Sequence, residues 1–173
     1  GYRQWQQPEE YFGAADGLKA QFLHWRQCEL LNKNSSGKTS TVFDAIGASQ
    51  VAKASFAGMR LLNLVEKKLA IWPFDALPDT GPVVVEIYTT IAARAVGVAK
   101  GRSKIREAAE LDRALSVLCS GPHIPLDRYT DHATDAILTS AWLRYSAENQ
   151  SFWAPHQLNS DIAATEGWTF GVI

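Results

Sequence analysis

The chain has 173 residues, 46% of them hydrophobic and 20% charged, with a formal net charge of −1. That length and apolar content suit a single domain with a substantial core, whereas a near-neutral balance excludes a protein held on polyanions or anionic membranes by its overall field. No apolar run reaches the roughly 20 residues of a spanning helix, so a nucleic-acid site has to be local and no membrane partner is expected.

Taken in chain order, Pro8 followed by Glu9 and Glu10 reads as a helix start, with proline in the first turn and acids at the positive dipole end. Leu18, Phe22, Trp25 and Leu30 suggest a second amphipathic helix ending near Asn32, followed by a polar loop over residues 32–41. Ser49 is placed to cap a helix from about Gln50 to Lys68, whose apolar stripe is Val51, Ala54, Gly58, Leu61, Leu62 and Val65. "LAIWPF", residues 69–74, reads as a short strand stopped by Pro73. After the turn-rich "DALPDTGP", the β-branched "VVVEIY" of residues 83–88 is apolar on both faces, as a strand central in a covered sheet would be. Helices are expected at about 90–97, at 104–118 with Ser103 as its cap, and at 131–147, before the closing "EGWTFGVI". The class is α/β with more helix than strand. Cys28 and Cys119 lie far apart, without disulfide-like spacing, which suits reduced thiols in a cytoplasmic protein. The opening Gly1-Tyr2-Arg3 lacks a methionine and reads as a chain whose N-terminal part lies elsewhere.

Three acids stand out against these elements. Glu86 interrupts an apolar strand, where an unpaired buried carboxylate costs several kcal/mol, so it needs a partner: an arginine such as Arg60 or Arg94, or a ligand in the crevice at the end of the strand. Asp131 and Asp135 lie four positions apart at the head of an apolar helix. Their mutual repulsion costs only about 0.2–0.5 kcal/mol and the helix dipole offsets it, so Asp131 is explained equally by an N-cap role. Asp135, beside Ala136, Ile137 and Ala141, lies where the helix should pack and wants a cation. Brought together, Glu86, Asp131 and Asp135 are oxygen ligands for a hard divalent ion, Mg²⁺ or Mn²⁺, of the kind that activates water for phosphodiester hydrolysis. "KGRSKIR" gathers Lys100, Arg102, Lys104 and Arg106 as candidate nucleic-acid backbone contacts; the alternative is a solvated face with Arg106 paired to Glu110.

"SSGKTS" lacks the first glycine and the preceding strand of a phosphate loop, and His24 with Cys28 has no second pair at zinc-site spacing. Trp142, Phe152, Trp153, Trp168 and Phe170 are read as packing residues.

"SQVAKASFAGMRLL", "WPFDALP", "VVVEIYTTIAAR", "GRSKIREAAELDRAL", "TDHATDAILTSAWLR" and "EGWTFGV" run in order over residues 49–173. Together they resemble a family of uncharacterised predicted nucleases in the RNase H-like superfamily. The resemblance implies an RNase H-like α/β fold in which Glu86 matches the mid-sheet acid, while Asp131 and Asp135 match the acids of the last core helix. That arrangement is also similar to Holliday-junction resolvases. It departs in one respect: the superfamily opens with a three-stranded meander carrying a central aspartate, no such strands precede residue 69, and Asp16 and Asp44 do not match it.

The resulting expectation is a helix-rich, RNase H-like, metal-dependent nuclease acting on DNA or RNA. The alternative is a non-catalytic binding or scaffolding module of the same fold, in which Glu86 is salt-bridged to an arginine. A third expectation, that the missing strands come from a second copy or from an upstream segment, makes the chain a homodimer or an incomplete piece.

Overall fold

The computed structural model of this chain describes residues 24–36, 39–44, 51–66, 68–99 and 104–173. Helices α1 (Gln27–Ser36) and α2 (Val51–Val65) precede strands β1 (Ala70–Ile71) and β2 (Val83–Val84), and helices α3 (Thr89–Ala95), α4 (Ala108–Val117), α5 (Asp131–Ser146), α6 (Gln150–Trp153) and α7 (Ser160–Thr165) follow. The class is mixed α/β, rich in helix, with a small parallel sheet. The chain divides into two compact units, one running to Glu86 and resuming over Gln157–Val172, the other spanning Ile87–His156. Among the described residues, no helix is long and apolar enough to cross a membrane.

In the first unit β1 and β2 pair in parallel, Ala70 opposite Val83 and Ile71 opposite Val84. The amide of Trp72 continues the ladder onto the Val84 carbonyl at 3.0 Å. The long central strand expected over 83–88 is not formed. Regular pairing stops at Val84, and beyond it Glu86 makes one parallel bridge to Thr169, with the Phe170 amide on the Glu86 carbonyl at 2.9 Å. Positive φ angles at Gly167 and Gly171 turn the backbone away on either side of Trp168–Phe170, which limits this contact to a single bridge. Trp168 and Phe170 are fully buried, Trp168 donates its indole N–H to the Val172 carbonyl at 2.9 Å, and Trp72 meets Phe170 edge-on at 5.9 Å. The reading of Trp168 and Phe170 as packing residues holds.

Two helical expectations change here. Residues 32–36 continue α1 rather than forming a loop, and α1 starts at Gln27 because its first turn is held by the acids described below. The expected stripe of α2 is only partly used: Ala52 is buried, Val51, Gly58, Leu62 and Val65 are half-buried, and Ala54 and Leu61 face outward. The helix start at Pro8 and the Ser49 cap lie outside the described residues.

In the second unit α3 and α4 both pack on α5. The buried pair Ala92 and Ala93 lets α3 approach closely, and α5 buries Thr134, Leu138, Thr139, Ala141, Trp142 and Ser146. Helix α4 begins at Ala108 after an N-cap at Glu107, so residues 104–106 are not helical, and Ser103, the expected cap, lies outside the described residues. At its other end Arg144 donates to the carbonyls of Leu118 and Cys119 and to the Ser120 hydroxyl, satisfying groups that a helix terminus leaves open.

Two glycines respond oppositely to an added methyl group. At Gly167, with φ of 68°, a Cβ would come within 2.9 Å of the Phe74 ring; at Gly58, inside α2, it would meet nothing within 4 Å. Gly167→Ala should lower stability by about 1–2 kcal/mol, most of it from the left-handed backbone since the exposed Phe74 ring can turn aside. Gly58→Ala should raise stability by about 0.5–1 kcal/mol. Urea midpoints of the two variants against the parent chain check both signs.

Candidate functional site

Glu86 is placed by the Thr169 bridge, and its carboxylate is held by Arg26, not by Arg60 or Arg94. Arg26 Nη2 lies 2.5 Å from Oε1 and Nη1 lies 2.8 Å from Oε2, a two-pronged contact, and the Thr169 hydroxyl donates to Oε1 at 2.7 Å. Arg94 instead donates to the Val98 carbonyl. The position of Arg26 follows from the start of α1. Arg26 is the residue before the first helical turn, and Glu29, three positions on, accepts its backbone N–H at 2.9 Å as in a capping box. Glu29 also accepts Arg26 Nε at 3.0 Å and the Val42 amide at 2.8 Å, while the Glu166 carboxylate takes the Gln27 amide at 2.7 Å. Two acids thus sit on the positive end of α1 and aim the guanidinium at Glu86.

The electrostatics agree with that geometry. Desolvation pushes the Glu86 carboxyl up, but the hydrogen bonds and charge of Arg26, with the Thr169 hydroxyl, push it down by more, and its pKa lies below the ordinary carboxylate value. Burial works against the charge of Arg26, and Glu86 outweighs it, so the guanidinium is held more firmly charged than usual. Burial raises the thiol of Cys28, which lies 3.8 Å from the Thr169 hydroxyl.

In the second unit the cap of α5 is Thr130, whose hydroxyl accepts the Ala133 amide at 3.3 Å; Asp131, the alternative N-cap, occupies the first helical position. Asp131 pairs with Arg106 at 3.1 Å, which replaces the expected Arg106–Glu110 pair because Arg106 precedes α4 rather than lying on it. Asp135 has the cation it was expected to need: Lys104 bonds to its Oδ2, which also accepts the Thr89 hydroxyl at 3.3 Å. Ala136 beside it faces solvent, and Ala141 is buried. Lys100 and Arg102 lie outside the described residues. The two described members of the basic patch, Lys104 and Arg106, are each committed to an aspartate.

Each of the three acids therefore has its own cation, and among the described residues no group of three His, Cys, Asp or Glu side chains could hold a metal ion. What the arrangement does is fasten: the Arg26 pair ties α1 to the segment after β2, and the Lys104 and Arg106 pairs tie the segment before α4 to the first turns of α5. Sequence reasoning missed Arg26, Thr169 and Thr130. Only Thr130 carried a local signal, a threonine placed before the first turn of an acidic helix.

Glu86, with its lowered pKa, contributes stability that is complete above the ordinary glutamate value and is lost as pH falls through the lower folded value. Urea unfolding across a pH series should show this acid-limb loss in the parent chain and a flatter limb in Glu86→Gln. Breaking a buried pair costs about 3–5 kcal/mol, but the Glu86 side chain is 43% exposed, so Arg26→Met should cost nearer about 1–3 kcal/mol. Compared with known proteins, the chain matches no family model, no curated protein and no solved structure, and the reading of its site rests on its own geometry.

Proposed function

We propose that this chain is a binding or scaffolding module of RNase H-like kind that does not itself cleave nucleic acid, its acids serving as ion-pair anchors. The observation that carries this reading is the two-pronged Arg26 grip on Glu86. To serve a metal, that carboxylate would have to leave a buried guanidinium, which would keep Glu29 and the Glu166 carbonyl but lose the acceptor shared by both of its Nη groups, at a cost of about 1–3 kcal/mol. The RNase H-like part rests on the ordered sequence blocks and on an acid following β2 with two acids at the head of α5.

The metal-dependent nuclease remains the second reading because of one observation. The Asp131–Arg106 pair is loose, with side chains 38% and 68% exposed, and such surface pairs contribute at most about 1 kcal/mol, so a hard cation could displace the arginine.

The two readings separate in titration calorimetry with Mn²⁺ alone and in cleavage assays with labelled DNA and RNA in Mn²⁺. The module should give no saturable heat and no cleavage above buffer. Cleavage by the parent chain that disappears in Glu86→Gln and Asp135→Asn would establish the nuclease instead.

A further inference from the structure

The connection between α4 and α5 contains a hydrogen-bonded chain that involves none of the three acids. Asp112 on α4 accepts from both the backbone N–H and the Nδ1 of His123 through the same oxygen, at 3.1 and 2.6 Å. The other ring nitrogen of His123, Nε2, lies 2.7 Å from the phenol oxygen of Tyr129, and the Leu126 amide donates to that oxygen at 3.4 Å. The imidazole is almost sealed, its side chain 4% exposed. Its contact with the Tyr129 ring is edge-on at 5.4 Å.

Hydrogen bonding orients this chain from its acidic end. The Asp112 carboxyl is held below the usual carboxylate range by its His123 hydrogen bonds, so it is ionised and can only accept. Nδ1 therefore carries a ring hydrogen, and in the tautomer that leaves Nε2 bare the phenol O–H of Tyr129 points at it. A nucleophile, a base within reach and an acid orienting the base form the arrangement that activates hydroxyl groups in acyl transfer, and the Leu126 amide supports the developing phenolate.

We propose that Tyr129 is a nucleophile that accepts an acyl group from an activated carboxylic ester. The phenol oxygen attacks the ester carbonyl carbon as its proton passes to His123 Nε2. The bond from carbonyl carbon to leaving oxygen then breaks, and that oxygen takes the proton, giving an acyl-tyrosine ester and a free alcohol. A neutral carbonyl fits better than a phosphate, because among the described residues the groups bonded to the phenol oxygen are an imidazole and an amide, and neither is a fixed cation.

The test treats the full chain with p-nitrophenyl acetate at neutral pH, following nitrophenolate release and mapping acetylated tyrosines by peptide mass spectrometry. Tyr145, on α5 and 56% exposed, is the internal control, because exposure alone would favour it. Tyr129 should be acetylated first, with one equivalent of nitrophenolate released. Asp112→Asn, which removes the negative charge that supports the imidazole as a base at a partly exposed position, should slow Tyr129 acetylation by about a hundredfold while Tyr145 is unaffected. His123→Phe should do the same, and if it does not fold, Asp112→Asn decides alone. Preferential acetylation of Tyr145, or a Tyr129 rate unchanged by Asp112→Asn, would overturn the proposal and leave the chain as a fastening of the connection.

Discussion

A guanidinium cannot shed its charge, so an arginine removed from water must find acceptors for its fixed fork of N–H groups or destabilise the fold that buries it. In the first unit that requirement is met at Arg26, and much else follows from how it is met. Nε goes to Glu29, Nη2 to Glu86, and Nη1 to both Glu86 and the Glu166 carbonyl. The start of α1, Glu86 two residues beyond β2 and the turn before Trp168 are fixed around one side chain. The small parallel sheet contributes only two paired positions, too few to orient these segments alone. Thr169 joins the same group through its bridge and its hydroxyl, so the C-terminal aromatics are positioned by polar contacts as well as by burial.

The second unit uses the same chemistry at lower stakes. Lys104 and Arg106 lie on a short non-helical segment and meet Asp135 and Asp131 on successive turns of α5. More of these side chains reach water than is the case at Arg26, so each pair contributes less and the packing of α3 and α4 on α5 contributes more. The difference bears on function. A carboxylate in a loose surface pair is available to other partners, whereas Glu86, gripped from two sides, is available only if the first unit gives up its own fastening.

How much of this was legible in the sequence depended on how local each cause was. Helices α2 and α5 announced themselves through long apolar periodicity, and both fell close to their expected bounds. The need of Glu86 and of Asp135 for cations was also legible, since burial cost is a property of the residue and its surroundings. The identity of the partner was not. Arg26 lies sixty positions from Glu86, and Arg60 and Arg94 were nearer in the chain with nothing to exclude them. The length of the 83–88 strand was over-read for a related reason: β-branched residues favour extension, but pairing needs a neighbour, and the glycines at 167 and 171 allow only one bridge. The chain from Asp112 through His123 to Tyr129 left no trace in spacing, because a loop, not an element, brings its members together.

The central claim is that Glu86 and Arg26 hold each other, and a double-mutant cycle tests it most directly. Urea unfolding of Arg26→Met, Glu86→Gln and the double variant isolates the pair from the other contacts of Arg26. The account predicts a favourable coupling of about 1–3 kcal/mol, with the double variant less destabilised than the sum of the singles. Strict additivity would mean that the two side chains do not depend on one another, and Glu86 would again need a partner.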